Sequence, residues 1–187
     1  MKILMFGWEF PPFKTGGLGT ACYALTKGLS RNGCQVTFVM PVAPEGAISD
    51  FVKIVPANEL AKKIKVKTVK SLLTPYMTSE GYESKYQTLS ASGQKEIYGK
   101  NLHAEVNRFA SVAGLIAKQE EHDVIHSHDW MTYQAGINAK KISGKPLVVH
   151  IHATEFDRTG GNPNHTISHV EYTGLKEAAV VIANSNF

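Results

Sequence analysis

The feature that most constrains this chain is an alternation of short apolar runs with helical stretches. Ile3 to Gly7, Gln35 to Met40, Asp123 to His128, Leu147 to Ile151 and Val180 to Ala183 read as strands. Leu18 to Arg31, Glu96 to Glu121, Thr132 to Ile142 and His165 to Glu177 read as helices between them. On the first helix Ala21, Leu25 and Leu29 recur at four-residue spacing, which predicts one apolar face. Asn32-Gly33 is expected to end it, and Pro41 to stop the second strand. The longest helical pattern carries Leu102, Val106, Phe109, Val112 and Ile116 on one stripe. Near-continuous apolar strands need cover on both faces, the mark of a parallel sheet. Right-handed crossovers then give an α/β fold, a Rossmann-like, doubly wound, mostly parallel sheet. Such sheets bind ligands at the carboxyl ends of their strands, so the residues after each strand become the candidates.

Composition bounds the rest. The 187 residues suit one domain, 1–187, and the 43% hydrophobic content excludes a disordered tail. Cys22 and Cys34 are the only cysteines, too few for a disulfide scaffold. They point to two small buried hydrophobes in a reducing, cytoplasmic setting. No apolar run approaches the roughly 20 residues of a membrane-spanning helix. Lys62, Lys63, Lys65, Lys67 and Lys70 supply five of the 20 basic residues. Their near-alternation with Ile64, Val66 and Val69 predicts a solvated edge strand. No nucleic-acid motif accompanies them. The segment from Val42 to Lys95 reads as irregular, with short strands at Phe51 to Val55 and Lys65 to Val69 and no strong site signal.

After the first strand comes Lys14-Thr15-Gly16-Gly17-Leu18-Gly19, leading into a helix. Adjacent Gly16 and Gly17 let backbone approach a ligand closely. The helix N-terminus supplies unpaired N–H groups, and Lys14 a full charge, for a phosphate. A tight turn beside a solvated lysine is the plainer alternative. The loop matches neither the dinucleotide fingerprint nor the P-loop. The third and fourth of the long strands end in His126-Ser127-His128-Asp129-Trp130 and His150-Ile151-His152-Ala153-Thr154-Glu155. Strand alternation puts His126 and His128 on one face, and likewise His150 and His152. A zinc site, or recognition of a sugar or phosphate, both fit such a cluster. Asp129 offers a carboxylate to hydroxyl donors, or caps the helix that follows. Trp130 covers a sugar face or packs in the core. Glu155 to Asn164 reads as a polar, Gly-rich loop in which Arg158 pairs a phosphate or carboxylate, or simply lies at the surface. Tyr98, Asn101 and Glu105 on the long helix are further candidates.

These motifs, in this order, resemble the glycogen and starch synthases. Lys14 to Gly19 is similar to their K-x-G-G-L-G loop, and His126 to Trp130 to their H-x-H-D-W stretch. His152-Ala153-Thr154-Glu155 and Asp157-Arg158 resemble the broader group 1 glycosyltransferases. The resemblance spans Met1 to Asn186. It implies the N-terminal, acceptor-side domain of a GT-B fold, with a C-terminal nucleotide-sugar domain as partner and absent from this chain. It implies transfer of a glucosyl-type unit from a nucleoside diphosphate sugar to a glycan acceptor, with retention and without a metal or other cofactor. His152 matches the active-site histidine and Asp129 the acceptor-side acid. Lys14, Gly16 and Gly17 match the donor diphosphate loop. His128, Trp130, Glu155 and Arg158 are the expected substrate contacts. His150 stands where the family commonly has threonine, and His126 has no assigned part. A non-catalytic glycan-binding module and a metal-dependent hydrolase using the histidines are the rival functions. The chain alone is expected to be inactive.

Overall fold

The structure, a computed structural model, describes residues 1–8, 10, 17–42, 64–70, 72–73, 77–90 and 99–185. In chain order these form β1 (Lys2–Phe6), α1 (Gly17–Arg31), β2 (Gln35–Val42), β3 (Ile64–Lys70), α2 (Ser79–Ser90) and α3 (Leu102–Leu115). There follow β4 (Val124–His128), α4 (Trp130–Ser143), β5 (Leu147–Ile151), a one-turn α5 (Glu155–Arg158), α6 (His165–Glu177) and β6 (Val180–Ala183). The six strands form one parallel sheet in the order β3-β2-β1-β4-β5-β6. That is the doubly wound order, and the direction of winding reverses between β1 and β4. Ligands of such sheets bind in the crevice outside this reversal. The lysine-rich β3 is an edge strand, as its alternation predicts. Phe51 to Val55 lies outside the described residues.

β4 shows how the two faces are divided. Ser127 points to α4: a Cβ built on Gly136 would collide with Ser127 Oγ and come within 2.7 Å of Leu147 Cδ1. Its neighbours His126 and His128 therefore point to the other face, where Cys22 of α1 sits beside His128. Leu4, Met5, Phe6, Phe38, Phe109, Ile125 and Leu147 fill the core between sheet and helices.

Several local expectations change. β2 runs through Pro41 to Val42, because Pro41 stands opposite Val69 in the register of β3. A proline needs no donor on the side that carries none, so it survives near a strand end. On α1 the fully covered row is Leu18, Cys22, Thr26 and Ser30, while Ala21, Leu25 and Leu29 flank it half-buried. After Leu18 the covered row is built of small side chains, with the large Leu25 and Leu29 at its border. The long helix starts at Leu102, because Asn101 is extended and its Oδ1 accepts from Ala104 N at 2.9 Å. Val112 is exposed, whereas Ala110, Ala113 and Gly114 are buried. A Cβ on Gly114 would lie 2.7 Å from Asn138 Cβ, so α3 and α4 approach through small residues. Gly33, at φ +83°, closes α1 as expected.

α2 is a helix that the sequence pattern does not announce. Thr78 Oγ1 accepts from Gly81 N at 3.1 Å, and Tyr82, Tyr86 and Leu89 recur at helical spacing. A second close approach joins α4 to α6. A Cβ on Gly174 would lie 2.7 Å from Cγ and 2.8 Å from Cβ of Tyr133, a ring that is itself buried. Gly174→Ala is therefore expected to cost about 1–3 kcal/mol through overpacking, despite the better helix propensity of alanine. The urea midpoint of unfolding measures it, and an unchanged midpoint would show that α6 yields freely.

Candidate functional site

A cleft of about 530 Å³ opens at the carboxyl ends of the strands. Trp8 follows β1, Leu18 lies in the first turn of α1, Asp129 and Trp130 follow β4, and Glu155 and Arg158 come after β5. Met77, Thr78, Ser79 and Glu80, at the start of α2, close another side. Leu102 stands where Asn101 and Glu105 were candidates. Asn101 is the cap of α3. Glu105 is fully buried, accepts from Gly99 N at 2.6 Å and is bracketed by the Arg108 guanidinium. Neither residue lines the cleft. Tyr98, Lys14 and Gly16 lie outside the described residues. Gly17 is the first residue of α1 and immediately precedes the cleft-lining Leu18.

Asp129 has the most unusual backbone among the described residues. Its φ of 57° and ψ of 168° make it the one non-glycine residue there with positive φ. That region is essentially reserved for glycine and costs on the order of 1–3 kcal/mol. Its surroundings hold it there. Its N–H donates to His150 O at 3.0 Å, and its carbonyl accepts from Thr132 N at 3.0 Å. Its carboxylate Oδ1 accepts from His152 N at 2.8 Å. The side chain makes no cap bond to α4, although the residue stands at the cap position. Burial raises the carboxyl pKa, opposed by the His152 N–H. Trp130 is buried and lines the cleft beside it.

The four histidines stack into one group on the α1 face. Ring centroids lie 4.4 Å apart for His126 and His128, 5.0 Å for His128 and His150, and 4.4 Å for His150 and His152. The His128↔His150 register of β4 and β5 brings the two pairs together. Asn184, just past β6, ties the group. Its Nδ2 donates to His152 Nδ1 at 2.9 Å, and its Oδ1 accepts from His150 Nε2 at 2.8 Å. His152 then carries its proton on Nε2 and donates to His128 Nδ1 at 2.9 Å. Burial, with mutual repulsion, keeps three of the rings neutral: His126 falls to about 3, His152 to about 4, and His128 well below 6.5. The Nε2 atoms of His126 and His128 and the Nδ1 of His150 are buried without a hydrogen-bond partner.

The loop after β5 is more ordered than its composition suggests. Thr154 and Asp157 form a reciprocal capping box that starts α5. Arg158 is held on three sides: by Glu155 Oε2 at 3.2 Å, Glu171 Oε1 at 2.8 Å and the Ala153 carbonyl at 2.5 Å. Glu171 Oε1 also accepts from Glu155 N at 2.7 Å. Arg158 and Glu155 thus line the cleft as one braced unit rather than as separate groups. Glu171, Asn184 and the α2 terminus are the parts of the site that sequence patterns do not reveal. Only the helical spacing of Tyr82, Tyr86 and Leu89 could have given α2 away. Glu171 and Asn184 act through the tertiary fold and leave no local pattern.

Comparison with known proteins adds the decisive observation: the family model for the starch synthase catalytic domain matches residues 2–185. The chain belongs to that family. A Methanocaldococcus jannaschii protein named as an uncharacterized glycosyltransferase is 30% identical over 188 residues, covering 99% of this chain and 40% of that protein. The glycogen synthase of Mycobacterium tuberculosis H37Rv is 28% identical over 162 residues, covering 86% of this chain and 36% of the synthase. This starch synthase family chain therefore spans well under half the length of these relatives. Among solved structures, sucrose-phosphate synthase from Thermosynechococcus elongatus aligns with a TM-score of 0.61 at 14% identity, over 96% of this chain and 41% of the other. An Arabidopsis thaliana protein complexed with UDP-L-rhamnose aligns with a TM-score of 0.60 at 15% identity, over 98% and 42%. At those identities the likeness is one of fold, and it is the GT-B fold. No helix among the described residues is long and apolar enough to cross a membrane.

Proposed function

We propose that this chain is the N-terminal, acceptor-side domain of a retaining glycosyltransferase. The whole protein would move a glucosyl-type unit from a nucleoside diphosphate sugar to a glycan hydroxyl, using no metal or other cofactor. One observation carries the reading. Asp129 is held in a glycine-type conformation at the cleft wall, bonded to the backbone of His152, at the reversal of the sheet. Strain of this kind persists where the surroundings over-determine it, as at binding and catalytic sites. In this reading Asp129 orients the acceptor, and His152 contacts the transferred sugar. Lys14 and the amides of Gly16 and Gly17 stabilise charge on the leaving diphosphate. His128, Trp130, Glu155 and Arg158 shape the sugar subsites. The family relatives named glycogen synthase, and the neighbour complexed with UDP-L-rhamnose, agree with this chemistry. Cys22 and Cys34 form no disulfide, which fits a cytoplasmic protein.

The test is a transfer assay on the purified whole protein, with ADP-, UDP- and GDP-sugars and a labelled glycan. Transfer with retained anomeric configuration, unaffected by chelator, is expected. Glycan binding without transfer from any donor would instead make the domain a binding module. Lys14→Ala is expected to lower turnover by about 100-fold, the cost of removing one group that stabilises developing charge. An unchanged rate removes Lys14 from the mechanism.

A further inference from the structure

The His128–His152 hydrogen bond has a neighbour that the reaction above does not use. Cys22 comes from the second turn of α1. Its Sγ and a ring nitrogen of each of His128 and His152 all lie within 4.8 Å of one another. Cys22 and His128 are buried, and His152 is the partly exposed member through which an ion would enter. We infer that Cys22, His128 and His152 form a Cys-His₂ site for zinc(II) or a similar thiolate-preferring divalent cation, and that its occupancy inhibits the protein.

The hydrogen bonding makes this trio chemically consistent. His128 Nδ1 and His152 Nε2 face one another at 2.9 Å across a single proton, and the cation takes the place of that proton. Tetrahedral zinc, with Zn–N of about 2.0–2.1 Å, sets such nitrogens about 3.3 Å apart, a small widening. The displaced proton has a destination. It moves to His152 Nδ1, and the Asn184 amide turns over so that Oδ1 accepts from His152 and Nδ2 donates to His150. His150 then carries its own proton on Nδ1. A metal-bound histidine whose other nitrogen donates to an amide oxygen is the usual supporting arrangement. Cys22 binds as thiolate and gives its proton to solvent. One proton is thus released per cation, and the fourth position stays open to water.

A second trio, His126, His128 and His150, has ligand atoms equally close. It fits a cation less well. The His126 and His150 rings are stacked with an interplanar angle of 8°, which keeps their in-plane lone pairs in separate, nearly parallel planes.

The inhibitory consequence rests on the function proposed above, since the cation captures the imidazole of His152. Its presence as a site does not. The experiment is an anaerobic titration of the reduced, metal-free protein with cobalt(II), followed by zinc(II). One cobalt per chain is expected, with tetrahedral d–d absorption and a thiolate charge-transfer band, one proton released, and displacement by zinc. Cys22→Ser removes the charge-transfer band and weakens binding by about 100-fold or more. Cys34→Ser, at the opposite end of the sheet, changes neither. His152→Gln, at the exposed edge, gives the same loss with circular dichroism unchanged, which separates ligand loss from misfolding. No stoichiometric binding overturns the site. So does binding without a thiolate band that survives Cys22→Ser and fails in His126→Ala or His150→Ala. In the transfer assay, zinc is expected to inhibit the wild type at least tenfold and to leave the Cys22→Ser rate unchanged. Equal inhibition of both overturns the regulatory link while the spectra stand.

Discussion

Glycine at position 129 is expected to give a protein more stable than alanine there by about 1–3 kcal/mol, and both variants are expected to lose transfer. The comparison isolates the backbone. Either substitution removes the carboxylate and its bond to His152 N, so that loss cancels. Alanine must still adopt φ 57°, ψ 168°, which glycine reaches without penalty. In a domain of this size the difference corresponds to about 2–12 °C in melting temperature. The substitution Asp129→Asn separates the remaining roles. It keeps an oxygen for the His152 amide and removes the charge. If Asp129 engages an acceptor hydroxyl as a carboxylate, Asp129→Asn lowers kcat by about 100-fold or more with little change in melting temperature. Equal stability of the glycine and alanine variants would show that the strain is released at no cost. Full activity of the asparagine variant would end the proposed role.

The second large effect is acid lability. His126, His128 and His152 are held neutral in the folded protein, the first at about 3 and the last at about 4, against 6.5 in the unfolded chain. Below pH 6.5 the unfolded state takes up protons that the folded state refuses. Stability is therefore fully present above that pH and falls as pH drops toward 4. His126 and His152 each contribute up to about 1.4 kcal/mol per pH unit, and the more deeply buried His128 acts in the same direction. By pH 5 the loss from His126 and His152 reaches about 4 kcal/mol, a large share of the 5–15 kcal/mol typical of a domain. The buried Asp129 and Glu171 carboxyls, both raised, act in the opposite sense. Urea unfolding from pH 7.5 to 4.5 with chelator present measures the slope. His126→Phe, which keeps a flat ring in the stack, should lower it. Stability that stays flat down to pH 5 would mean the group protonates without cost.

The fold is legible in the sequence because β1, β2, β5 and β6 are near-continuous apolar runs alternating with helices, and a parallel sheet with helices on both faces covers such strands. Helix ends are legible where glycine closes them, as at Gly33, and obscure where the cap is an asparagine inside a longer polar stretch, as at Asn101, ahead of which the pattern runs on to Glu96. The interfaces are obscure for one physical reason. Hydrophobic periodicity favours large side chains, whereas α1, α3 and α6 make their closest contacts through Cys22, Gly114 and Gly174. At the site, the residues at strand ends are all locatable from sequence, since β4 and β5 deliver them by register. Their partners are not. Asn184 and Glu171 lie 32 and 13 residues from His152 and Arg158, which they hold. Arg158, which its chemistry marks as a group for anions, is braced between two glutamates.

The two borders of the sheet differ in a way that bears on handling the molecule. The sequence of β3 alternates Lys65 and Lys67 with apolar residues, a pattern that disfavours pairing at a sheet edge. β6 carries Val180, Val181 and Ile182, exposed by 53%, 45% and 38%, and pairs only with β5 among the described residues. Growth of the sheet is therefore blocked on one side and permitted on the other. Any strand that adds to this sheet is expected beyond β6, on the side away from the lysines.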